Sequence, residues 1–272
     1  MLMKVILAGC GNMGHAMLAG WLKSGRLEAS EVAVVEPNEA LRARAGALGV
    51  AALADVAELP AGAAPSLIVL AVKPQVILNV AGAYRRFADD GATILSIAAG
   101  TGVARLAGVL GDRASIMRCM PNTPAAIGKG MLVTYANPHV PEDVKAFVSA
   151  LLATSGEVAA ITDEGLMDAV TAVSGSGPAY VFHFIECLTA AAERAGLPAE
   201  TARLLAMQTT YGAACLAAES GEEPGVLRQQ VTSPNGTTAA ALSVLMGEDR
   251  LKKLLGEAVE AARIRSEELG RD

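Results

Sequence analysis

The chain has 272 residues, of which 52% are hydrophobic and only 3% aromatic; this length predicts one large domain or two modest ones with a sizeable apolar core. The composition excludes disorder and collagen-like structure. The formal net charge of −6 is spread without long basic runs, so we expect neither nucleic acid nor an anionic membrane as a partner.

Short apolar runs alternate with amphipathic stretches through the first 162 residues, which predicts β–α–β units around a parallel sheet. Strands are predicted over 4–8, 32–36, 67–72, 93–97, 115–118 and 131–135. Helices are predicted over 12–23, 39–47, 76–87, 103–110 and 142–154. The run 67–72 is apolar throughout, which is typical of a strand buried on both faces.

From about Asp163 the pattern changes to long helical periods without a strand-like run. Helices are predicted over 178–195, 199–218, 222–230, 238–246 and 250–269. Pro178 suits a first helical turn, and Gly196 suits a helix end. The alanine-rich helix faces look too small to close a core alone, so we expect them to pack against a second subunit.

The positions of the cysteines and histidines indicate the cellular compartment and the kinds of catalytic site to expect. The four cysteines lie far apart and form no CxxC pair, which favours a reducing compartment. Residues 7–10 look like a lipoprotein cleavage box, but the apolar stretch before them is too short for a signal peptide, and no run approaches a membrane span. We expect a soluble, cytoplasmic protein. The three histidines are dispersed, so spacing predicts neither a metal site nor a serine triad.

The motif GCGNMG at residues 9–14 is a GxGxxG between a predicted strand and a predicted helix. In this context the first glycine permits a tight turn, the second lets the backbone approach a pyrophosphate, and the third lets helix and strand pack closely. The helix N-terminus adds unpaired N–H groups and positive potential. The motif therefore predicts a bound dinucleotide.

Glu36 ends the second predicted strand, where a carboxylate accepts hydrogen bonds from a ribose 2′-hydroxyl and repels a 2′-phosphate. This position favours NAD. Arg42 and Arg44 follow, and either side chain could reach back to a phosphate. The choice between NAD and NADP therefore stays open.

Three more loops follow predicted strands at the carboxyl edge of the sheet, where open α/β folds bind ligands. They contain Lys73-Pro74, residues 96–100 and residues 118–124. In the helical half, residues 174–178 precede a helix and are a candidate second anion-binding turn, although the glycines have the wrong offsets for a nucleophile elbow.

Residues 232–238 form the other candidate anion-binding segment. Pro234 and Asn235-Gly236 predict a turn, and Thr237 or Thr238 is predicted to cap the next helix. Hydroxyl groups and free amides together suit a small carboxylate.

Six segments together resemble the pyrroline-5-carboxylate reductase family, and the resemblance covers essentially the whole chain. They are GCGNMG (9–14), AVKPQ (71–75), SIAAG (96–100), RCMPNTP (118–124), DAVTAVSGSGPAY (168–180) and VTSPNGTT (231–238). Two departures stand out. Asn235 stands where the family often has glycine, and residues 36–38 stand where many NADPH-preferring members have small polar residues. The second departure leaves the preference between NADPH and NADH open.

The resemblance implies hydride transfer from NADPH or NADH to L-1-pyrroline-5-carboxylate, giving L-proline in the last step of proline biosynthesis. The family's cofactor-binding positions correspond here to Ala8, Gly9, Cys10, Gly11, Asn12, Met13, Asp55, Ala71, Val72, Lys73, Pro74, Ile97, Ala98, Ala99, Thr171 and Ser174, to which spacing adds Glu36. Its substrate-binding positions correspond to Glu164, Gln230, Ser233, Gly236, Thr237 and Thr238. Thr238 is implied to be catalytic through a hydrogen bond to the ring nitrogen.

The same resemblance implies the domain organisation. We expect an α/β fold in which residues 1–162 form a dinucleotide-binding Rossmann domain with a doubly wound parallel sheet. Residues 163–272 are expected to form an α-helical substrate and dimerisation domain. The expected partner is a second copy of the chain, in a homodimer that assembles into a larger homo-oligomer.

Two other functions fit parts of the sequence. A β-hydroxyacid dehydrogenase also joins a Rossmann domain to helices, but its catalytic lysine follows a glycine-rich loop, and residues 179–195 contain no lysine. A catalytically silent nucleotide-binding protein is disfavoured by the intact hydroxyls of Ser233, Thr237 and Thr238. Cofactor preference, oligomer size and regulation by proline stay open at this point.

Overall fold

The computed structural model describes residues 3–271. The chain divides into two compact units. One comprises the chain up to Ser176 together with the segment from Ala262 onward, and the other is Gly177–Ala261. The domain boundary between residues 162 and 163 stays a prediction.

The first unit is built on one eight-stranded sheet. Its strands are β1 Val5–Ala8, β2 Val32–Val35, β3 Ala51–Leu53, β4 Leu67–Leu70, β5 Thr93–Ser96, β6 Ile116–Met120, β7 Gly130–Ala136 and β8 Gly156–Ala160. Their order is β3-β2-β1-β4-β5-β6-β7-β8, and neighbours are parallel except β6 and β7. The strand order reverses between β1 and β4, which is where such sheets bind ligands. The predicted doubly wound fold is confirmed.

Helices cover both faces of this sheet. They are α1 Asn12–Lys23, α2 Glu39–Gly46, α3 Ile77–Ala83, α4 Arg85–Asp89, α5 Val103–Leu110, α6 Glu142–Leu152 and α7 Met167–Val170. Because side chains alternate along a strand, Leu7 packs with Trp21 and Leu152 on one face, and Ile6 packs with Tyr84 on the other. With both faces buried, the loops at the carboxyl edge are left to form a site.

Three elements differ from the sequence prediction. The predicted helix 76–87 is two helices, α3 and α4, which meet at Tyr84 (φ −98°, ψ 5°). Tyr84 and Phe87 are both buried in the core. Strands β3 and β8 were not predicted, because β3 has only three residues and β8 alternates only between half-buried and exposed positions.

The second unit is helical, as predicted. Its helices are α8 Gly177–Arg194, α9 Ala199–Glu219, α10 Pro224–Gln230, α11 Thr237–Met246 and the first part of α12 Arg250–Arg271. Gly196 follows α8 with φ +98°, the left-handed conformation that ends a helix. Six large apolar side chains are between 59% and 66% exposed, namely Phe182, Leu204, Tyr211, Val231, Val244 and Leu254. A single chain therefore leaves much apolar helix surface uncovered.

The last part of α12 packs in the first unit. Ser266 is buried, and its hydroxyl donates to Asp168 Oδ1 at 2.6 Å. Near the end of the helix a Cβ on Gly270 would lie 2.8 Å from the Gly100 carbonyl oxygen, so this contact requires glycine. Within residues 3–271, no helix combines the length and apolar character needed to cross a membrane.

Candidate active site

The three motif glycines meet different surroundings in the turn from β1 to α1. Gly9 has φ +91°, and a Cβ there would lie 2.6 Å from the Ala71 carbonyl oxygen. A Cβ on Gly14 would lie 2.5 Å from the Gly9 carbonyl oxygen. A Cβ on Gly11 would meet nothing within 4 Å. Gly9 and Gly14 are therefore required for packing, whereas Gly11 leaves open space beside the turn.

The N-terminus of α1 lies in this open turn. Gly11 occupies the N-cap position, and the hydrogen bond from His15 N to Gly11 O closes the first helical turn. The N–H groups before His15 have no partner within the helix. Open space and free N–H groups at a helix N-terminus fit a pyrophosphate.

Glu36 is 7% exposed and lies against the glycine turn. Its Oε2 accepts from Cys10 N at 2.7 Å, and its Oε1 accepts from Asn38 N at 2.9 Å. Each carboxylate oxygen can still accept another hydrogen bond. Glu36 thus combines a bond to the turn with a negative charge at the end of β2.

Arg42 and Arg44 both donate to backbone carbonyls. Arg42 Nη1 donates to Glu36 O at 3.0 Å and to Pro37 O at 2.9 Å. Arg44 Nη2 donates to Cys10 O and to Gly11 O, each at 3.0 Å. The sequence leaves open whether Arg42 or Arg44 contacts a phosphate. The structure instead gives Arg44 a role in holding the glycine turn.

The segments after β4 and β5 continue beside this turn. Ala71 N donates to Ala8 O at 2.8 Å, and Ile97 N donates to Leu70 O at 3.1 Å. The predicted residues 8–13, 71–74 and 97–99 therefore meet at one edge of the sheet. Asp55 follows β3, and its Oδ1 accepts from Ala57 N at 2.8 Å.

A partly buried ion pair joins Arg118 in β6 to Glu164. Arg118 is 7% exposed, and its Nη1 donates to Glu164 Oε1 at 2.8 Å. The same oxygen accepts from Val103 N at 2.7 Å, at the N-terminus of α5. Glu164, a predicted substrate residue, thus links β6 and α5 to the segment that enters α7. A cavity of about 380 Å³ adjoins this pair and is also lined by Arg105 and Asp168.

The candidate anion-binding segment at 174–178 begins in helical structure. Thr171–Gly175 is a π-helical turn that follows α7, and Ser176 N donates to Thr171 O at 2.9 Å. Helical bonding thus uses the Ser176 N–H group, and the anion-binding role of the segment stays a prediction. π-helical turns are frequent at functional sites.

Asn122 joins this π-helical turn to the sheet. Its Nδ2 donates to Ser174 O at 3.2 Å, and its Oδ1 accepts from Met131 N at 2.9 Å. Ser174, a predicted cofactor residue, is thereby brought to the loop that follows β6.

The prediction that Thr237 or Thr238 caps α11 is wrong. The helix begins at Thr237, and Gly236 occupies the N-cap position with φ −80° and ψ 173°. A Cβ on Gly236 would lie 2.4 Å from Ser233 Oγ and 3.2 Å from Ser233 O, so a larger residue there would require the Ser233 hydroxyl to move. Asn235 has φ +59°, the turn conformation that asparagine tolerates.

The threonine hydroxyls at the start of α11 are available to a ligand. Within residues 3–271, neither the Thr237 nor the Thr238 hydroxyl is hydrogen-bonded to protein. Gln230, at the end of α10, donates from Nε2 to Glu222 Oε2 at 3.3 Å. Free hydroxyls and the N-terminal N–H groups of α11 together suit a small carboxylate.

The sequence does not predict the positioning roles of three side chains, Arg118, Asn122 and Arg44. Arg118 was identifiable as a charged residue inside the strand IMRCM, because a buried charge needs a partner. The roles of Asn122 and Arg44 depend on contacts with residues far away in the sequence, so no local pattern indicates them.

The other groups that can support catalysis are metal ligands and cysteine thiols. Within residues 3–271, no group of three or more His, Cys, Asp or Glu side chains is arranged to hold a metal ion. Burial raises the pKa of the Cys119 thiol, so this thiol stays protonated and is a poor nucleophile. Burial also raises the pKa of the Cys10 thiol, although the Arg44 charge opposes this shift.

Comparison with known families gives two matches. Residues 164–269 match the family described as pyrroline-5-carboxylate reductase dimerisation. Residues 4–100 match the family described as NADP oxidoreductase, coenzyme F420-dependent.

Curated relatives cover nearly the whole chain. The pyrroline-5-carboxylate reductase of Pseudomonas aeruginosa is 40% identical over 267 residues, which are 98% of this chain and 96% of that protein. The enzyme of Escherichia coli is 35% identical and covers 98% of both chains.

Solved structures of the same family are also similar to this chain. A pyrroline-5-carboxylate reductase from Coxiella burnetii has a TM-score of 0.92 at 33% identity, and 99% of each chain is covered. The pyrroline carboxylate reductase of Plasmodium falciparum, with NADP bound, has a TM-score of 0.83 at 28% identity and covers 98% of both chains.

The different surroundings of the glycines predict separable effects. Gly14→Ala should lower the free energy of unfolding by about 1–3 kcal/mol, because the added methyl group meets backbone. Gly11→Ala should leave the melting temperature nearly unchanged and weaken nicotinamide dinucleotide binding, because its methyl group enters the open space. Thermal unfolding and fluorescence titration with NADH and NADPH measure the two effects. Unchanged affinity in Gly11→Ala would contradict dinucleotide binding at this turn.

Proposed function

This chain belongs to the pyrroline-5-carboxylate reductase family, and from that premise we propose which of its residues carry out the family's reaction. The reaction is the NAD(P)H-dependent reduction of L-1-pyrroline-5-carboxylate to L-proline, the last step of proline biosynthesis. Membership of this family favours this reaction over the two alternative functions considered from the sequence.

We propose that the cofactor binds along the carboxyl edge of β1, β2, β4 and β5. The open space beside Gly11 and the free N–H groups of α1 carry this proposal. Its proposed contacts are residues 8–13, Glu36, Asp55, residues 71–74, residues 97–99, Thr171 and Ser174. Because open α/β sheets bind ligands at the point where strand order reverses, the turn between β1 and α1 is the natural position for the pyrophosphate.

The substrate carboxylate is proposed to bind at the start of α11. Ser233, Gly236, Thr237 and Thr238 offer hydroxyl and N–H donors there, and helix N-termini favour anions. Glu164 and Gln230 are proposed to approach the ring. Their present hydrogen bonds leave Glu164 Oε2 and the Gln230 carbonyl oxygen as further acceptors.

The proposed catalytic residue is Thr238. When bound, the reduced nicotinamide supplies a hydride to the carbon of the C=N bond. A protonated imine is already electrophilic, so the protein needs chiefly to orient the ring and stabilise its nitrogen. The Thr238 hydroxyl is proposed to hydrogen-bond that nitrogen while neighbouring N–H groups hold the carboxylate.

Three wider proposals accompany the site. We propose that the boundary between residues 162 and 163 separates a cofactor domain from a substrate and dimerisation domain. The matched dimerisation family supports a homodimer, and we propose that dimers assemble into a larger homo-oligomer. The dispersed free cysteines support the proposed cytoplasmic location, because they suit a reducing compartment.

Thr238→Ala should lower kcat/KM for L-1-pyrroline-5-carboxylate at least about tenfold, equivalent to about 1.4 kcal/mol. Binding of proline should weaken much less, because the N–H groups that hold a carboxylate remain. Steady-state kinetics and calorimetric titration with proline measure the two effects.

Stability separates catalysis from a structural role. Thr238 does not cap α11, and alanine has the higher helix propensity, so the melting temperature should not fall. Ser243→Ala is the matched control, because its hydroxyl lies on the same helix and donates to Ala240 O. Near-normal turnover in Thr238→Ala would remove Thr238 from the mechanism.

The Glu36 carboxylate should disfavour a 2′-phosphate by charge repulsion. Glu36→Ser should therefore improve kcat/KM for NADPH relative to NADH by about 1–3 kcal/mol. Because this variant also loses the bond to Cys10 N, Glu36→Gln is the control that keeps an acceptor and removes the charge. An unchanged ratio in both variants would show that Glu36 does not select the cofactor.

The helical unit should be stable only in an oligomer, because its exposed apolar side chains need a partner surface. Light scattering at micromolar protein concentration should detect no folded monomer. A compact, active monomer of about 28 kDa, the mass of one chain at 27.7 kDa, would refute this expectation.

A further inference from the structure

Arg44 makes an unusual contact with the glycine turn. From α2 its guanidinium reaches 33 and 34 positions back in the sequence, where Nη2 donates to Gly11 O and Cys10 O at 3.0 Å each. The Arg44 Nε is buried and has no hydrogen-bond partner in the described part of the chain. The bonds that hold this guanidinium in place are therefore those to the turn.

These two bonds fix two successive peptide groups. A trans peptide group is planar, so its C=O and N–H point in opposite directions. The Cys10 carbonyl belongs to the same peptide group as the Gly11 N–H, and the Gly11 carbonyl to the same group as the Asn12 N–H. With both carbonyls held by Arg44, both N–H groups are directed away from it.

Glu36 fixes the preceding peptide group. The Cys10 N–H donates to Glu36 Oε2 at 2.7 Å and is already used within the protein. The donors that remain for a phosphate in this turn include the Gly11 and Asn12 N–H groups, whose peptide groups Arg44 holds. Arg44 and Glu36 thus hold consecutive peptide groups through side chains of opposite charge.

We propose that Arg44 is a positioning residue for the cofactor pyrophosphate. It holds the Gly11 and Asn12 N–H groups in the orientation in which they bind the phosphate oxygens. This inference rests on the proposed cofactor site at the glycine turn. The hydrogen bonds of Arg44 go to the backbone carbonyls of Cys10 and Gly11, so its proposed role is to orient groups that bind the cofactor.

The position of Arg44 distinguishes its effect from that of Glu36. The pyrophosphate is common to NADH and NADPH, whereas the 2′-substituent is not. Loss of Arg44 should therefore weaken both cofactors by the same factor. Its positive charge also lies beside the turn, which favours an anionic ligand.

Arg44→Met keeps the apolar stem and removes the guanidinium. Its dissociation constants for NADH and NADPH, from fluorescence titration, should both rise about tenfold, a typical effect for hydrogen bonds from a charged group. The KM for each cofactor should rise with them, while kcat at saturating cofactor stays near the unmodified value. Arg44→Lys keeps the charge and should recover part of the lost affinity.

Arg42→Met is the matched comparison. It removes an equal charge and two comparable backbone hydrogen bonds from the same helix, but those bonds go to Glu36 O and Pro37 O instead of the turn. The inference is overturned if Arg44→Met changes both dissociation constants less than twofold, if it changes them by clearly different factors, or if Arg42→Met causes the same uniform loss.

The glycine variant separates this inference from the proposed function. If Gly11→Ala weakens cofactor binding and Arg44→Met does not, only the positioning role fails. If neither variant weakens binding, the cofactor site itself fails. A lower melting temperature in Arg44→Met with unchanged dissociation constants would show that Arg44 is structural only.

Discussion

The turn from β1 to α1 depends on backbone atoms approaching one another more closely than side chains permit. A Cβ on Gly9 or Gly14 would come within 2.6 Å of a carbonyl oxygen, so both positions must lack one. This close approach brings the N-terminus of α1 to the point where the strand order reverses. The segments after β4 and β5 pack beside the same turn, and the whole carboxyl edge is built around it.

Charged side chains hold the loops of this edge. Glu36 and Arg44 fix the glycine turn through its N–H and carbonyl groups, and Arg118 with Glu164 joins β6 to α5. Burying such groups is costly, and removing one partner leaves the other uncompensated. Their benefit is a rigid edge whose donors keep one orientation, which lowers the cost of ordering a bound ligand.

The helical unit follows a different principle. Among the residues of this unit that the structure describes, only Ala202 and Ala206 are buried. Small residues let helices approach closely but contribute little burial, while many large apolar side chains remain exposed. This unit agrees with the matched dimerisation family, because such helices gain a core only by packing against another chain.

The sequence by itself determined the fold class, the glycine turn and most element positions. Each of these follows from local patterns: α1 and α5 have the bounds that periodicity predicted, and GCGNMG carries its own conformational requirements. Only the tertiary structure decided the split at Tyr84, the edge strands β3 and β8, the π-helical turn and the glycine N-cap of α11. It also decided the partners of Arg44, Asn122 and Arg118. These features depend on contacts between residues far apart in the chain, whose distances no local pattern contains.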